Sequence, residues 1–471
     1  MRTAPSASAS RQRRTTVTAV VVVGVFMSVL DLFIVNIAFP DIARDFKGTS
    51  LSSLSWVLNA YAIVFAALLI PGGRWSDAFG RKRAFLLGVG IFTAASAACA
   101  AAPSAGWLIA ARAVQAAGAA LITPASLGLL LPAFPPDRRH VAIGIWAAVG
   151  GVGAAAGPPL GGLLVQASWR WVFLVNVPIG LITLAVGWRV LAELRHPDRI
   201  RADLAGAGLL AFGVGAAVVA IVEGQTWGWT SGRTIGLFVL ALGLLGVLAR
   251  RSATHPAPIL EPALLRRRAF AVATLATTLF FVAFAAMLLS SVLFLTEVWH
   301  RDILTAGLML TPGPAMAAVF AVPGSRLGAR FGAGRVGVAG ALLFALGGAM
   351  RLAWLGPEVH YLRDFLPQMM IGGAGVGLIL PSITAAAAAA LPPERLATGI
   401  AVQTTGRQLG SALGVAVLVA VLGTGAGAGL NFHGAWELMI AAALAAGVTL
   451  VGIGGRGQSA PAAVKPAEAA A

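Results

Sequence analysis

Long apolar runs alternate with short polar connections along almost the whole chain. A bilayer core takes about 20 apolar residues of helix. Fourteen runs reach that length approximately, at 17–39, 53–71, 84–102, 106–131, 141–165, 171–191, 204–223, 233–249, 270–295, 305–323, 336–355, 362–386, 398–422 and 434–453. The pattern predicts an all-α polytopic membrane protein. The first run follows a Ser/Ala/Arg-rich stretch with no cleavage site, so it reads as a retained span and not as a signal peptide. The ends, 1–16 and 454–471, are expected to be disordered tails.

Composition sharpens this picture. Hydrophobic residues make up 58% of the 471 and charged residues 11%, where a soluble domain carries about a quarter charged. The net charge of +17 would suit nucleic acid if it were clustered. It is instead scattered through the connections, which points to a bilayer as the partner and to no nucleic acid. With fourteen crossings, and with charges near the ends of runs counted with the adjoining connection, 25 of the 34 lysines and arginines fall on one side and 7 on the other. Positive connections stay inside, so both termini are expected in the cytoplasm. Cys99 is alone, so no disulfide forms within the chain, and no Cys/His spacing reads as a metal site. The sequence has no phosphate-binding Gly-x-x-x-x-Gly-Lys-Ser/Thr loop. No soluble stretch is long enough for an enzyme.

The chain also repeats. Trp75 to Gly80 returns 252 residues later as Leu327 to Gly332, with Ala329 in place of Asp77. Gly153, Gly157 and Gly161 return as Gly406, Gly410 and Gly414. Two similar halves of six spans follow, 17–192 and 269–453, with two extra spans and their connections, 193–268, between them.

Several polar residues stand out against this background. Between the second and third runs lies Gly73-Arg74-Trp75-Ser76-Asp77-Ala78-Phe79-Gly80-Arg81-Lys82-Arg83, read as a loop at the cytoplasmic face. Its plainest role is to orient the chain. Asp31 interrupts the first run, and a carboxylate there costs about 2.5–3.5 kcal/mol on insertion scales. Such an acid either handles a proton or a cationic substrate, or is permanently paired for packing. Arg112 interrupts the fourth run, three residues before Gln115; it either acts on Asp31, directly or through Gln115, or satisfies backbone carbonyls. The fifth run carries Gly153, Gly157, Pro158, Gly161 and Gly162, a flat face with a kink beside it. Arg407 is the second half's charge inside a run, in a gating or a structural role. Glu223, Asp364 and Glu437 stand near run ends, where solvation explains them.

These stretches resemble the motifs of the major facilitator superfamily, and of its fourteen-span drug:proton antiporters in particular. The 73–83 segment is similar to the family's loop between spans 2 and 3. Leu30-Asp31-Leu32-Phe33-Ile34-Val35-Asn36 resembles that branch's first-span signature, with Phe33 where a threonine is usual. Arg112 to Gly118 resembles the span-4 pattern, and Gly153 to Gly162 the antiporter motif of span 5. Trp169-Arg170-Trp171-Val172-Phe173-Leu174-Val175-Asn176-Val177-Pro178 matches a further stretch of the branch.

The resemblance implies the major facilitator fold, with two six-helix halves, two inserted helices and substrate held between the halves. It implies proton coupling at Asp31 and Arg112 and conformational gating by Gly73, Asp77, Gly80, Arg81 and Lys82. Gly153, Gly157, Pro158, Gly161 and Gly162 become a bendable seam between halves. Asn36, Asn59, Tyr61, Gln115 and Gln403 become candidates to line the substrate cavity. The implied activity is export of amphipathic drugs or antibiotics across a bacterial inner membrane, driven by the proton gradient without a cofactor. A monomer is expected, and a periplasmic adaptor is a possible partner. Two alternatives stay open: an exporter of one native metabolite, and a receptor or scaffold that kept the fold without transporting.

Overall fold

A computed structural model describes residues 7–135, 139–193, 203–256, 258, 261–391, 396–423 and 430–452. The described residues form helices and no strand. That is what lipid demands, because only a helix or a closed barrel satisfies every backbone group without water. The long helices are α1 (Ala7–Asp45), α2 (Leu51–Phe79), α3 (Arg81–Ala100), α4 (Ala105–Leu130), α5 (Arg139–Val165), α6 (Asn176–Val190), α7 (Leu204–Trp227) and α8 (Gly232–Thr254). They continue as α9 (Arg268–Leu293), α10 (Ile303–Leu310), α11 (Pro312–Phe331), α12 (Ala333–Trp354), α13 (Leu366–Ala389), α14 (Leu396–Leu422) and α15 (Phe432–Val451). Thirteen helices among the described residues are long and apolar enough to cross a membrane, α10 and α11 together making one. The remaining expected span, 141–165, coincides with the continuous helix α5, whose apolar part Ala155–Val165 is too short to count by itself.

Two boundaries differ from expectation, and a third falls outside the described residues. α1 begins at Ala7, so residues 7–16 of the expected disordered tail are helical; once the span has nucleated, extending it costs little. The C-terminal tail, 454–471, lies outside the described residues. The 73–83 segment is not a loop. α2 runs through Pro71 as far as Phe79, and only Gly80 breaks the chain before α3, at φ 118°. That conformation strains any residue with a Cβ.

The repeat is visible in the packing. Gly88 of α3 meets the Gly118 carbonyl of α4, where an added Cβ would lie 2.8 Å away. Gly340 of α12 meets the Gly375 carbonyl of α13 at the same 2.8 Å. At the offset of 252 that relates Gly88 to Gly340, Phe92 corresponds to Phe344 and Cys99 to Arg351. Across the halves, α7 packs on both α2 and α14, so the inserted pair braces the junction from outside.

One end of the bundle is shut. Ile34, Phe39 and Trp169 of the first half share a buried cluster with Leu289, Phe294, Trp299 and Trp436 of the second. Phe33 meets Phe284 edge-on at 6.3 Å, and Arg44 reaches Glu297 at 3.9 Å. The glycine face of α5 does two separate jobs here. Gly153, Gly157 and Gly161 pack within their own half, against Val29, Phe33, Ile34 and Ile37 of α1. Gly162 and the Pro158 carbonyl instead touch the backbone of α10 at Leu304 and Gly307. The expected seam between halves is therefore narrower than the whole motif. Glycine at 162 and 307 is what lets two main chains touch.

Candidate functional site

Asp31 comes from the middle of α1 and is fully buried. Arg112, from α4, pairs with its Oδ2 through Nη1. The Gln115 amide donates to Oδ1 at 2.9 Å, and the Asn176 amide of α6 donates to the same oxygen at 3.2 Å. Gln115 also donates to Ser96 Oγ at 2.8 Å, and Arg112 Nε donates to the Val57 carbonyl at 3.1 Å. The guanidinium lies 4.2 Å above the Tyr61 ring. Five helices, α1, α2, α3, α4 and α6, thus converge on one neutral ion pair. A buried pair of this kind is held by its additional hydrogen bonds, since desolvation offsets most of the Coulomb attraction. A proton arriving on Asp31 would leave Arg112 as a lone buried cation.

The candidate cavity residues separate. Tyr61 and Gln115 belong to this cluster, buried under or beside Arg112, and do not line open space. Asn59 is also fully buried, its amide 3.4 Å from Ser55 Oγ. Asn36 turns back to the Leu32 carbonyl of its own helix at 2.7 Å. Gln403 keeps accessible surface on α14. Asn176 was visible in the sequence only as part of a motif, and its place beside Asp31 was not read from it.

The break at Gly80 is tied to neighbouring elements by several polar contacts. Arg81 Nε donates to Asp77 at 3.0 Å and Nη1 donates to the Gly128 carbonyl at the end of α4 at 2.8 Å. Lys82 Nζ donates to the Trp188 carbonyl at 2.7 Å, and its amide to Glu193 at 3.2 Å. A Cβ on Gly80 would fall on the Glu193 carboxylate, and one on Gly73 would lie 3.3 Å from Pro124. Arg74 reaches Glu261 at 3.7 Å and so ties α2 to the segment before α9.

The second half holds two cations inside the membrane, not one. Arg351, near the end of α12, was counted from sequence with the outer connections, but it is buried. It donates to Gln368 Oε1 and Ser291 Oγ, both at 2.6 Å, and to Met369 Sδ at 3.0 Å, and no carboxylate joins it. Arg407 on α14 sits 5.6 Å above the Phe281 ring. Glu437 is exposed and Glu223 stands in the last turns of α7, but Asp364 is buried and not solvated as expected; Arg363 beside it supplies the counter-charge at 2.7 Å.

Residues 21–415 match the Major Facilitator Superfamily. The chain belongs to that superfamily. Among its similar members is the multidrug resistance protein Stp of Mycobacterium tuberculosis, 36% identical over 415 residues, covering 87% of this chain and 76% of that one. The puromycin resistance protein pur8 of Streptomyces alboniger is 34% identical over 411 residues, covering 85% and 80%. The probable actinorhodin transporter of Streptomyces coelicolor is 33% identical over 418 residues, covering 86% and 72%. Among solved structures, an auto-inhibited POT family peptide transporter shares the fold at TM-score 0.68 and 19% identity, over 94% of this chain and 96% of that one. This major facilitator protein therefore has transporters named for drug and antibiotic resistance as relatives along most of its length.

Proposed function

We propose that this chain exports amphipathic drugs or antibiotics in exchange for protons, by alternating access across a bacterial cytoplasmic membrane, with both termini inside. The observation that carries the reading is the Asp31–Arg112 pair, a carboxylate sealed inside the first half and answered by one cation and two amides. Ionisable residues kept inside a membrane mark transport pathways by default. The proton gradient supplies the free energy, and no cofactor is needed. Relatives named for resistance to chemically different antibiotics support a drug as the cargo. The relative named as a probable actinorhodin transporter supports the second reading, export of one native metabolite.

The test is proton movement in everted vesicles, followed with a pH-sensitive dye as drugs are added to wild type and to Asp31→Asn. Drug-evoked proton release that disappears in the variant is the expected result. Release retained in a folded Asp31→Asn protein would remove the coupling role from Asp31. No response to any drug by wild type would remove multidrug export.

A further inference from the structure

Arg407, like Arg351, is a charged side chain within the second half that the Asp31 cluster does not use. Its position on α14 is informative. Thr405 Oγ1 donates to the Ala66 carbonyl of α2 at 3.3 Å, so that face of α14 is closed by the other half. Gly406, Gly410 and Gly414 press on Thr278, Phe281 and Val282 of α9. Between these two packed faces runs a stripe at helical spacing, Ile400, Gln403, Arg407 and Ser411, that keeps accessible surface while Val402, Thr405 and Gln408 beside it are buried. A charged side chain at mid-span faces protein or water and not lipid. The accessible stripe is therefore the wall of the space between the halves.

Two donors stand on that wall one turn apart, and neither has an acceptor. Arg407 makes no hydrogen bond or ion pair among the described residues; its contact is the Phe281 ring. The Gln403 amide nitrogen has no partner either, although the residue keeps some accessible surface. Among the described residues no acid forms an ion pair with Arg407. Asp31 is consumed by Arg112, Arg351 adds a further cation, and Asp364, though buried, is paired with Arg363. Arg407 and Arg351 therefore stand without a carboxylate partner among the described residues.

We infer that the transported molecule carries an anionic group, a carboxylate, phenolate or sulfonate on an aromatic or apolar body, received by Arg407 and Gln403. The inference rests on the export reading and narrows its substrate class. A guanidinium forms paired hydrogen bonds to a planar anion, and an amide one turn away adds a third. Phe281 and Phe284, partly accessible on the facing helix α9, offer the apolar surface for the ring.

The probes are a pyrene-bearing carboxylate, its methyl ester and the matching primary ammonium. Binding of each to purified protein in lipid nanodiscs is read by fluorescence anisotropy. Wild type is expected to bind the carboxylate about tenfold more tightly than the ammonium, the size of one charge-assisted contact. Arg407→Met removes the preference, Arg407→Lys keeps most of it, and Gln403→Ala weakens it a few-fold. If Arg407→Met does not fold, Arg407→Lys against Arg407→Gln makes the same comparison. Equal affinity for the three probes, tighter binding of the ammonium, or a preference unchanged in the Arg407 variants overturns the inference. Uptake of the carboxylate into everted vesicles is measured separately. A binding preference without uptake supports the anion site and sinks the export reading alone.

Discussion

Replacing Asp31 by asparagine changes almost no volume and removes one charge. The side-chain oxygen can still accept from Gln115 and Asn176, which donate to Oδ1 in the native cluster. What is lost is the counter-charge of Arg112, itself only 1% exposed. Removing one member of a buried pair costs about 3–5 kcal/mol, because the survivor stays desolvated. Arg112 keeps the Val57 carbonyl at 3.1 Å, the Gln115 oxygen and the Tyr61 face at 4.2 Å. A desolvated cation–π contact is worth about 2 kcal/mol. These remaining contacts place the expected loss near the lower end, about 3 kcal/mol. A second substitution, Arg112→Gln, removes the stranded cation and should restore about 2 kcal/mol of it, since neutral replacements of buried pairs are often tolerated. The assay is reversible unfolding of the four proteins of a double-mutant cycle in mixed micelles. An Asp31→Asn protein within about 0.5 kcal/mol of wild type, or a double variant whose loss is the sum of the singles, would refute the reasoning.

Gly307→Ala places a methyl group against the Pro158 carbonyl in the shut end of the seam. Overpacking of this kind costs about 1–3 kcal/mol, and here it falls on the closed arrangement. Spin labels at Leu163 and Leu308 should move apart at this end; an unchanged distance distribution would contradict the packing described. Asp302 accepts from the Thr305 hydroxyl at 2.6 Å and its amide at 3.0 Å, just ahead of α10, and these bonds hold its carboxyl below the usual carboxylate range. The stabilisation is fully present above the unfolded value, about 3.9, and is lost as pH falls through the lower folded one. Asp302→Ala should cost about 1 kcal/mol at neutral pH and nothing at pH low enough to protonate the native acid. An equal cost at both pH values would show that the cap does not act through its charge.

The spans were legible because lipid leaves a chain so few options. The Asp31 and Arg112 positions were legible for the opposite reason: an ionisable residue inside an apolar run is conspicuous. Their partners were harder. Asn176 and Ser96 are ordinary polar residues, and only the three-dimensional convergence of α1, α3, α4 and α6 shows what they do. Arg351 was misplaced because it stands three residues before the end of its helix, where hydropathy falls and a charge looks like a connection. The repeat held a clue, since an offset of 252 puts Arg351 where the first half has the buried Cys99. The turn at 73–83 was read as a loop because its apolar run stops at Pro71. Helical hydrogen bonding does not stop where apolar side chains do, and a polar helix end is stable in the interfacial region.

The contact between α5 and α10 also limits how this protein can change over generations. Where Gly162 and Gly307 meet the opposing backbone, the touching atoms are main chain. Main chain offers mutation nothing to adjust except the loss of the contact. Side chains on the α14 stripe can be exchanged one at a time with the fold intact. Selection for a new cargo would therefore find its variation on the wall between the halves, while the seal at the end of the bundle stays as it is.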